Sequence, residues 1–227
     1  MNLPKPNIPV FFTELISTNK KHKFRPYTVA EQEALLIALE GSNQLEIINA
    51  CETLINNCVE GVDASKLPSF DFEYLFLKLR IASSGEIVEL SVSHDSDECD
   101  HSQNIELNLN DIKIRKSDKH TKKIDITSEI GVVMKYPGFS DVAFKDSKEL
   151  LISCIESIYD SENNYLAKDF SNEELMSWIG DLENKHLLKI KEFFDTMPKI
   201  YLELNWKCSK CGKSETKVIE DFTDFFS

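Results

Sequence analysis

Two cysteines three positions apart, Cys208 and Cys211, stand in the run Trp206-Lys207-Cys208-Ser209-Lys210-Cys211-Gly212 near the end of the chain. Thiolates at that spacing on a tight turn supply half of a tetrahedral zinc shell, and a glycine gives the turn its backbone freedom. The flanks, residues 200–204 and 216–219, alternate like strands, so the pair sits on a hairpin tip in the manner of a zinc knuckle. A thioredoxin-like redox pair would instead open a helix after a strand. The missing ligands are expected from a second polar tip, His94-Asp95-Ser96-Asp97-Glu98-Cys99-Asp100-His101. Cys99 with His101, or Cys99 with His94, completes a Cys3His shell, although the acidic neighbours suit a solvated turn equally well. Zinc held in this way is structural, because a catalytic ion keeps an open position beside a general base.

No other constellation carries chemistry. The chain has no His-Glu-x-x-His, no Gly-rich phosphate loop, no Gly-x-Ser-x-Gly elbow and no Cys/His nucleophile signature. Cys51, Cys58 and Cys154 fall on apolar helical faces and read as small core residues. His22 and His120 lie in charged loops, and His186 lies on a helix without a visible partner. With only seven glycines in 227 residues, a small-molecule active site is hard to build. The expectation is a protein without enzymatic activity.

A net charge of −13 sets the chain against nucleic acid, whose phosphates it would repel. The basic clusters at residues 20–23 and 115–123 read as solvated turns. No run reaches the roughly 18 apolar residues of a membrane span, and the N-terminus lacks the pattern of a signal peptide. Six scattered cysteines without an export signal then point to a reducing cytosol.

The elements that must position the tips follow from caps and periodicity. Thr28-Val29-Ala30-Glu31 is a capping box opening a helix that stops near Gly41. A second helix carries Ile47, Cys51, Leu54 and Cys58 on one face, and a third runs over 69–83 with Phe72, Leu75, Phe76 and Leu79 as core. Strands follow at 87–92 and 105–109, a pair at 112–115 and 123–126 joined by the lysine-rich turn, and another at 132–136. Helices return with the stripe Leu150, Cys154, Ile155, Ile158, with a capping box at Ser171-Asn172-Glu173-Glu174, and with the run 182–194 before Pro198. The fold class is α+β, helical N-terminal and third-quarter segments packed with antiparallel hairpins. Its divisions are an extended N-terminal arm with a helical region, 1–85, a hairpin region 86–140, a helical region 141–198 and the Cys-x-x-Cys hairpin with its tail, 199–227, within one compact unit.

Several runs, taken in order, carry a resemblance. Phe24-Arg25-Pro26-Tyr27 precedes an acidic Leu-rich helix. Asn57-Cys58-Val59 leads to residues 70–80, Phe-Asp-Phe-Glu-Tyr-Leu-Phe-Leu-Lys-Leu-Arg, and then Ser84-Gly85. Met134-Lys135-Tyr136-Pro137, Phe193-Phe194-Asp195-Thr196-Met197-Pro198, Cys208-x-x-Cys211-Gly212 and Phe225-Phe226 complete the series. From about residue 24 onward the chain resembles the T4-like bacteriophage baseplate protein family, whose members serve in the central hub of contractile tails.

The resemblance implies a non-enzymatic protein of tail morphogenesis, a hub subunit or a hub assembly factor. It would be made in the host cytoplasm, possess protein partners among hub or tape-measure components, and reside in the virion baseplate if retained. Family members often carry Cys-x-x-Cys in the first hairpin as well, where this chain has Cys99 alone. Phe222, Phe225 and Phe226 are candidate partner anchors, since aromatics dominate interface pockets. Phe24 and Tyr27 form a second candidate patch, with Arg25 better suited to an internal ion pair with Glu31 or Glu33. The alternative function is a zinc-ribbon adaptor or nucleic-acid-binding regulator, which the charge disfavours.

Overall fold

The computed structural model describes residues 4, 7–41, 43–96 and 99–220. Among these, eleven strands and seven α-helices follow one another, with three short 3-10 turns. In chain order they are β1 (Phe11–Glu14), β2 (Lys21–Phe24), α1 (Val29–Glu40), α2 (Gln44–Cys58) and α3 (Ser69–Ser84). Then come β3 (Ile87–Ser96), β4 (Cys99–Asn108), β5 (Lys113–Arg115), β6 (Lys123–Asp125) and β7 (Gly131–Met134). Helices α4 (Phe139–Phe144) and α5 (Ser147–Ser153) lead to β8 (Ile155–Tyr159) and β9 (Asn164–Leu166). The chain finishes with α6 (Asn172–Gly180), α7 (Asn184–Thr196), β10 (Lys199–Lys207) and β11 (Ser214–Ile219). The fold is α+β with antiparallel sheets.

The chain divides into two compact units, 1–64 with 70–115 and 199–227, and 65–69 with 116–198. The division follows neither element type nor the sequence order of helical and hairpin regions. The first unit holds the pairs β1–β2 and β3–β4 and the sheet β11-β10-β5; the second holds the sheet β6-β7-β8-β9.

In the first unit α1 starts where the capping box puts it: Thr28 Oγ1 accepts from the Glu31 amide and the Glu31 carboxylate accepts from the Thr28 amide. Arg25 forks onto the same carboxylate at 2.8 and 3.0 Å, the internal pairing its position suggested. Its hydrogen bonds come first in holding the Glu31 carboxyl down at about 2. Helix α2 buries Ile48, Cys51, Leu54, Ile55 and Cys58, a stripe shifted from Ile47 to Ile48. The chain before α1 is not an extended arm but the hairpin β1–β2. Its turn is tied down by Asp71 of α3, wholly buried, which accepts from the Ile16 amide at 2.6 Å and from the Ser17 amide and hydroxyl.

In the second unit a core of Ile124, Ile126, Val132, Met134, Leu151, Cys154, Ile155, Ile190 and Phe193 lies under the four-stranded sheet and its helices. His120 stacks on Tyr136, meets the Phe193 ring at a tilt and spends both ring nitrogens, on Thr196 Oγ1 at 3.0 Å and the Tyr136 hydroxyl at 2.9 Å.

Two expectations about elements are corrected here. The strands at 113–115 and 123–125 do not pair across the lysine-rich turn: β5 joins β10 and β6 joins β7, in different units. The stripe Leu150, Cys154, Ile155, Ile158 is not one helix. It ends as α5 at Ser153, and residues 155–159 form β8, buried between β7 and β9.

Candidate metal centre

Period-two alternation places the donors. In the β3–β4 pair His94 lies directly opposite His101 and Ser96 opposite Cys99, so His94, Cys99 and His101 share one face of the hairpin. In the second hairpin β10 and β11 pair from Leu202↔Ile219 to Lys207↔Ser214, leaving 208–213 as the tip. The Cys208 amide bonds the Lys213 carbonyl at 2.8 Å and the Gly212 amide bonds the Cys208 carbonyl at 2.9 Å. Gly212 takes φ +76°, which is why a residue without a Cβ closes this turn.

The tips are stitched together by polar contacts. Gln103 clamps the second tip with both ends of its amide, donating to the Lys207 carbonyl at 3.0 Å and accepting from the Ser209 amide at 2.7 Å. Lys210 Nζ reaches the Asp100 carbonyl at 3.3 Å.

This brings four donor atoms, from His94, Cys99, Cys208 and Cys211, within 4.8 Å of one another. Cys99 Sγ lies 3.9 Å from Cys208 Sγ, and Cys211 Sγ lies 3.3 Å from His94 Nδ1. A tetrahedral zinc ion with ordinary bond lengths sets those edges at about 3.8 Å and about 3.5 Å. The donor set is three thiols and an imidazole, enough to hold a metal ion. His94, Cys99 and Cys208 are buried and Cys211 is exposed, so only one edge meets water.

The surroundings favour ligation. Backbone amides of Cys211 and then Lys210 point at the Cys208 sulfur and lower its pKa, whereas burial first of all raises that of the Cys99 thiol. The far nitrogen of His94, Nε2, faces Glu215 Oε1 at 3.0 Å. A carboxylate there fixes the tautomer that leaves Nδ1 free to ligate, the usual outer support of a metal-bound histidine.

His101 lies outside this group of four: its Nε2 bonds Ser209 Oγ at 2.9 Å, and the nitrogen donor of the group comes from His94, directly across the pair. Glu215 escaped the sequence reading altogether; its signal is its place in β11 opposite Trp206, legible only once the hairpin register is known. Of the proposed partner anchors, Phe24 is buried against Phe11 with 5% exposure, a core residue rather than a free patch. Tyr27 is half-buried, its amide bonded to Ser83 Oγ and its hydroxyl to Ser84 Oγ at 2.9 Å. Phe222, Phe225 and Phe226 lie outside the described residues.

Comparison with known proteins bears on the whole chain. It is 25% identical over 203 residues to the baseplate hub assembly protein gp26 of Enterobacteria phage T4, covering 89% of this chain and 90% of that protein. No solved structure matches. The sequence model of the T4 bacteriophage base plate proteins matches residues 8–227, and the chain belongs to that family.

Proposed function

We propose that the protein is a non-enzymatic assembly factor of a phage baseplate hub, acting in the host cytoplasm by binding other tail proteins. The relative over nine-tenths of its length is named as a hub assembly protein, which supports the role. The structural observation that carries it is the outer face of α1. Of its twelve residues only Leu35 is buried, while Val29 is 72%, Ile37 70% and Leu36 48% exposed. At 100° per residue those three fall on one side with Glu33 and Glu40 between them. Three large apolar side chains exposed on one helix side, rimmed by carboxylates, suit a contact surface.

The metal centre serves the same role as a staple. Zinc on His94, Cys99, Cys208 and Cys211, the three cysteines as thiolates, would lock two hairpin tips that are far apart in sequence. Four protein ligands leave no open position for substrate. The reading as a nucleic-acid adaptor would rest on the ribbon-like tips alone, against a charge of −13.

Co-expression with the hub proteins of the same phage tests the role. Leu36→Asp with Ile37→Asp should abolish co-purification and leave the melting temperature of the free protein nearly unchanged, because both side chains already face water. A double variant that still assembles hubs at the normal yield would remove α1 from the mechanism.

A further inference from the structure

The second unit carries a cavity of about 390 Å³ unlike any feature discussed so far. Its walls combine the rings of Tyr159, Tyr165, Phe170 and Trp178 with the aliphatic Ile130, Ile158 and Leu175, and its two charged lining groups are both carboxylates, Asp160 and Glu174. Local structure sets each of them. Tyr159 ends β8, and Asp160 begins the turn into β9, accepting from the Glu162 and Asn163 amides at 2.8 and 2.7 Å and from the Tyr165 hydroxyl at 2.9 Å. Those backbone amides, first among its contacts, lower the Asp160 pKa and keep it ionised. Glu174 is the carboxylate of the α6 capping box, bonded to the Ser171 amide at 2.8 Å, and Trp178 stands one turn further along the same helix face. Tyr165 and Phe170 meet edge to face at 6.4 Å.

Aromatic faces attract cations through their quadrupoles, and two fixed carboxylates add to the attraction. Among the described residues neither Asp160 nor Glu174 is in an ion pair. The volume stands at the small end for ligand pockets, room for a side chain rather than a nucleotide. A planar guanidinium can stack on the rings and fork onto a carboxylate together, which an ammonium cannot.

We propose that this cavity receives an arginine side chain presented by a protein partner. Charge complementarity selects that occupant. The chain's own C-terminal run, Glu220-Asp221-Phe222-Thr223-Asp224-Phe225-Phe226, brings aromatics but also three carboxylates against Asp160 and Glu174. The chain's charge of −13 steers basic surfaces toward it generally. This contact is separate from α1 and does not require it.

The test uses the full chain and a short neutral peptide carrying a single arginine, read by tryptophan fluorescence and by titration calorimetry. The same peptide with citrulline keeps the shape and loses the charge; one with phenylalanine stands for the aromatic tail. The variant Asp160→Asn with Glu174→Gln retains hydrogen-bond acceptors for the turn and the cap while removing both charges. The arginine peptide should bind at least about fivefold more tightly than the citrulline peptide, with most of that margin lost in the double variant and in high salt. Equal binding of arginine and citrulline, preference for phenylalanine, or an unchanged arginine affinity in the double variant would each overturn the proposal. The Leu36→Asp/Ile37→Asp protein should bind the peptide normally, so failure at one surface is distinguishable from failure at the other.

Discussion

Removing the metal, or one of its ligands, should release a constraint whose size follows from where the donors sit. Cys99 and Cys208 are 109 residues apart in sequence, and His94 and Cys211 are 117 apart. A link closing a loop of about 100 residues lowers the entropy of the unfolded chain by an amount worth about 4.7 kcal/mol. For a chain of this size each kcal/mol moves the melting temperature by about 2–4 °C, so stripping the ion should lower it by roughly 10–20 °C. The three buried donors, His94, Cys99 and Cys208, left without the ion, add to the loss rather than offset it.

The assay is thermal unfolding followed by circular dichroism, with metal content measured on protein purified reduced and without chelator. About one zinc per chain is expected. Cys99→Ser, Cys208→Ser and His94→Ala should lose it and melt early, whereas His101→Ala, which removes only the bond to Ser209, should keep both metal and stability. Glu215→Gln should hold zinc about 10–100-fold more weakly, through the loss of the carboxylate behind His94. The reasoning fails if zinc-free and zinc-loaded protein melt together, or if His101→Ala costs as much metal as His94→Ala.

Four further outcomes follow from other parts of the molecule. Asp71→Ala leaves the Ile16 and Ser17 amides without their acceptor beneath the β1–β2 turn, and should cost about 2–4 kcal/mol in chemical denaturation. The Glu31 carboxyl lies below its ordinary 4.5, at about 2, so its contribution is complete above pH 4.5 and is lost as pH falls through about 2. Arg25→Gln should flatten that part of the acid unfolding curve, and an unchanged curve would deny the pairing its role. His120 shifts the other way in charge: burial first, then Lys122, lowers its pKa from 6.5, so the folded state favours the neutral ring. Its contribution is complete above pH 6.5 and falls away below it, a slope that His120→Gln should remove. Gly131→Ala would set a Cβ 2.1 Å from the Tyr159 ring and hydroxyl, turning that ring off Asp125 at a cost of about 1–3 kcal/mol by thermal melting.

Short-range chemistry was readable from the residues alone. Capping boxes at Thr28 and Ser171, the Cys-x-x-Cys-Gly turn and the alternating runs of β3, β4 and β10 each involve partners a few positions apart, so the sequence contains both halves of every interaction. It also gathered Cys99 and both histidines on one polar tip, although their common face appears only with the β3–β4 register. What it could not do was choose between His94 and His101. Residues directly opposite across an antiparallel pair are equivalent to the alternation, and only the approach of the second tip, fixed by Gln103 and Lys210, separates them.

The same limit explains the two misplaced elements. Positions 150, 154, 155 and 158 satisfy helical spacing, yet 155 and 158 also fit a buried strand, and pairing with β7 and β9 decides for the strand. The lysine-rich turn looked like a hairpin because its flanks are strands, but β5 found a distant partner in β10 and β6 paired with the next strand, β7. The residues fixed the local elements and the donor types. Which strands pair, which imidazole faces the thiols and which aromatics surround Asp160 and Glu174 depended on contacts between distant segments, because those free energies belong to pairs that local patterning does not encode.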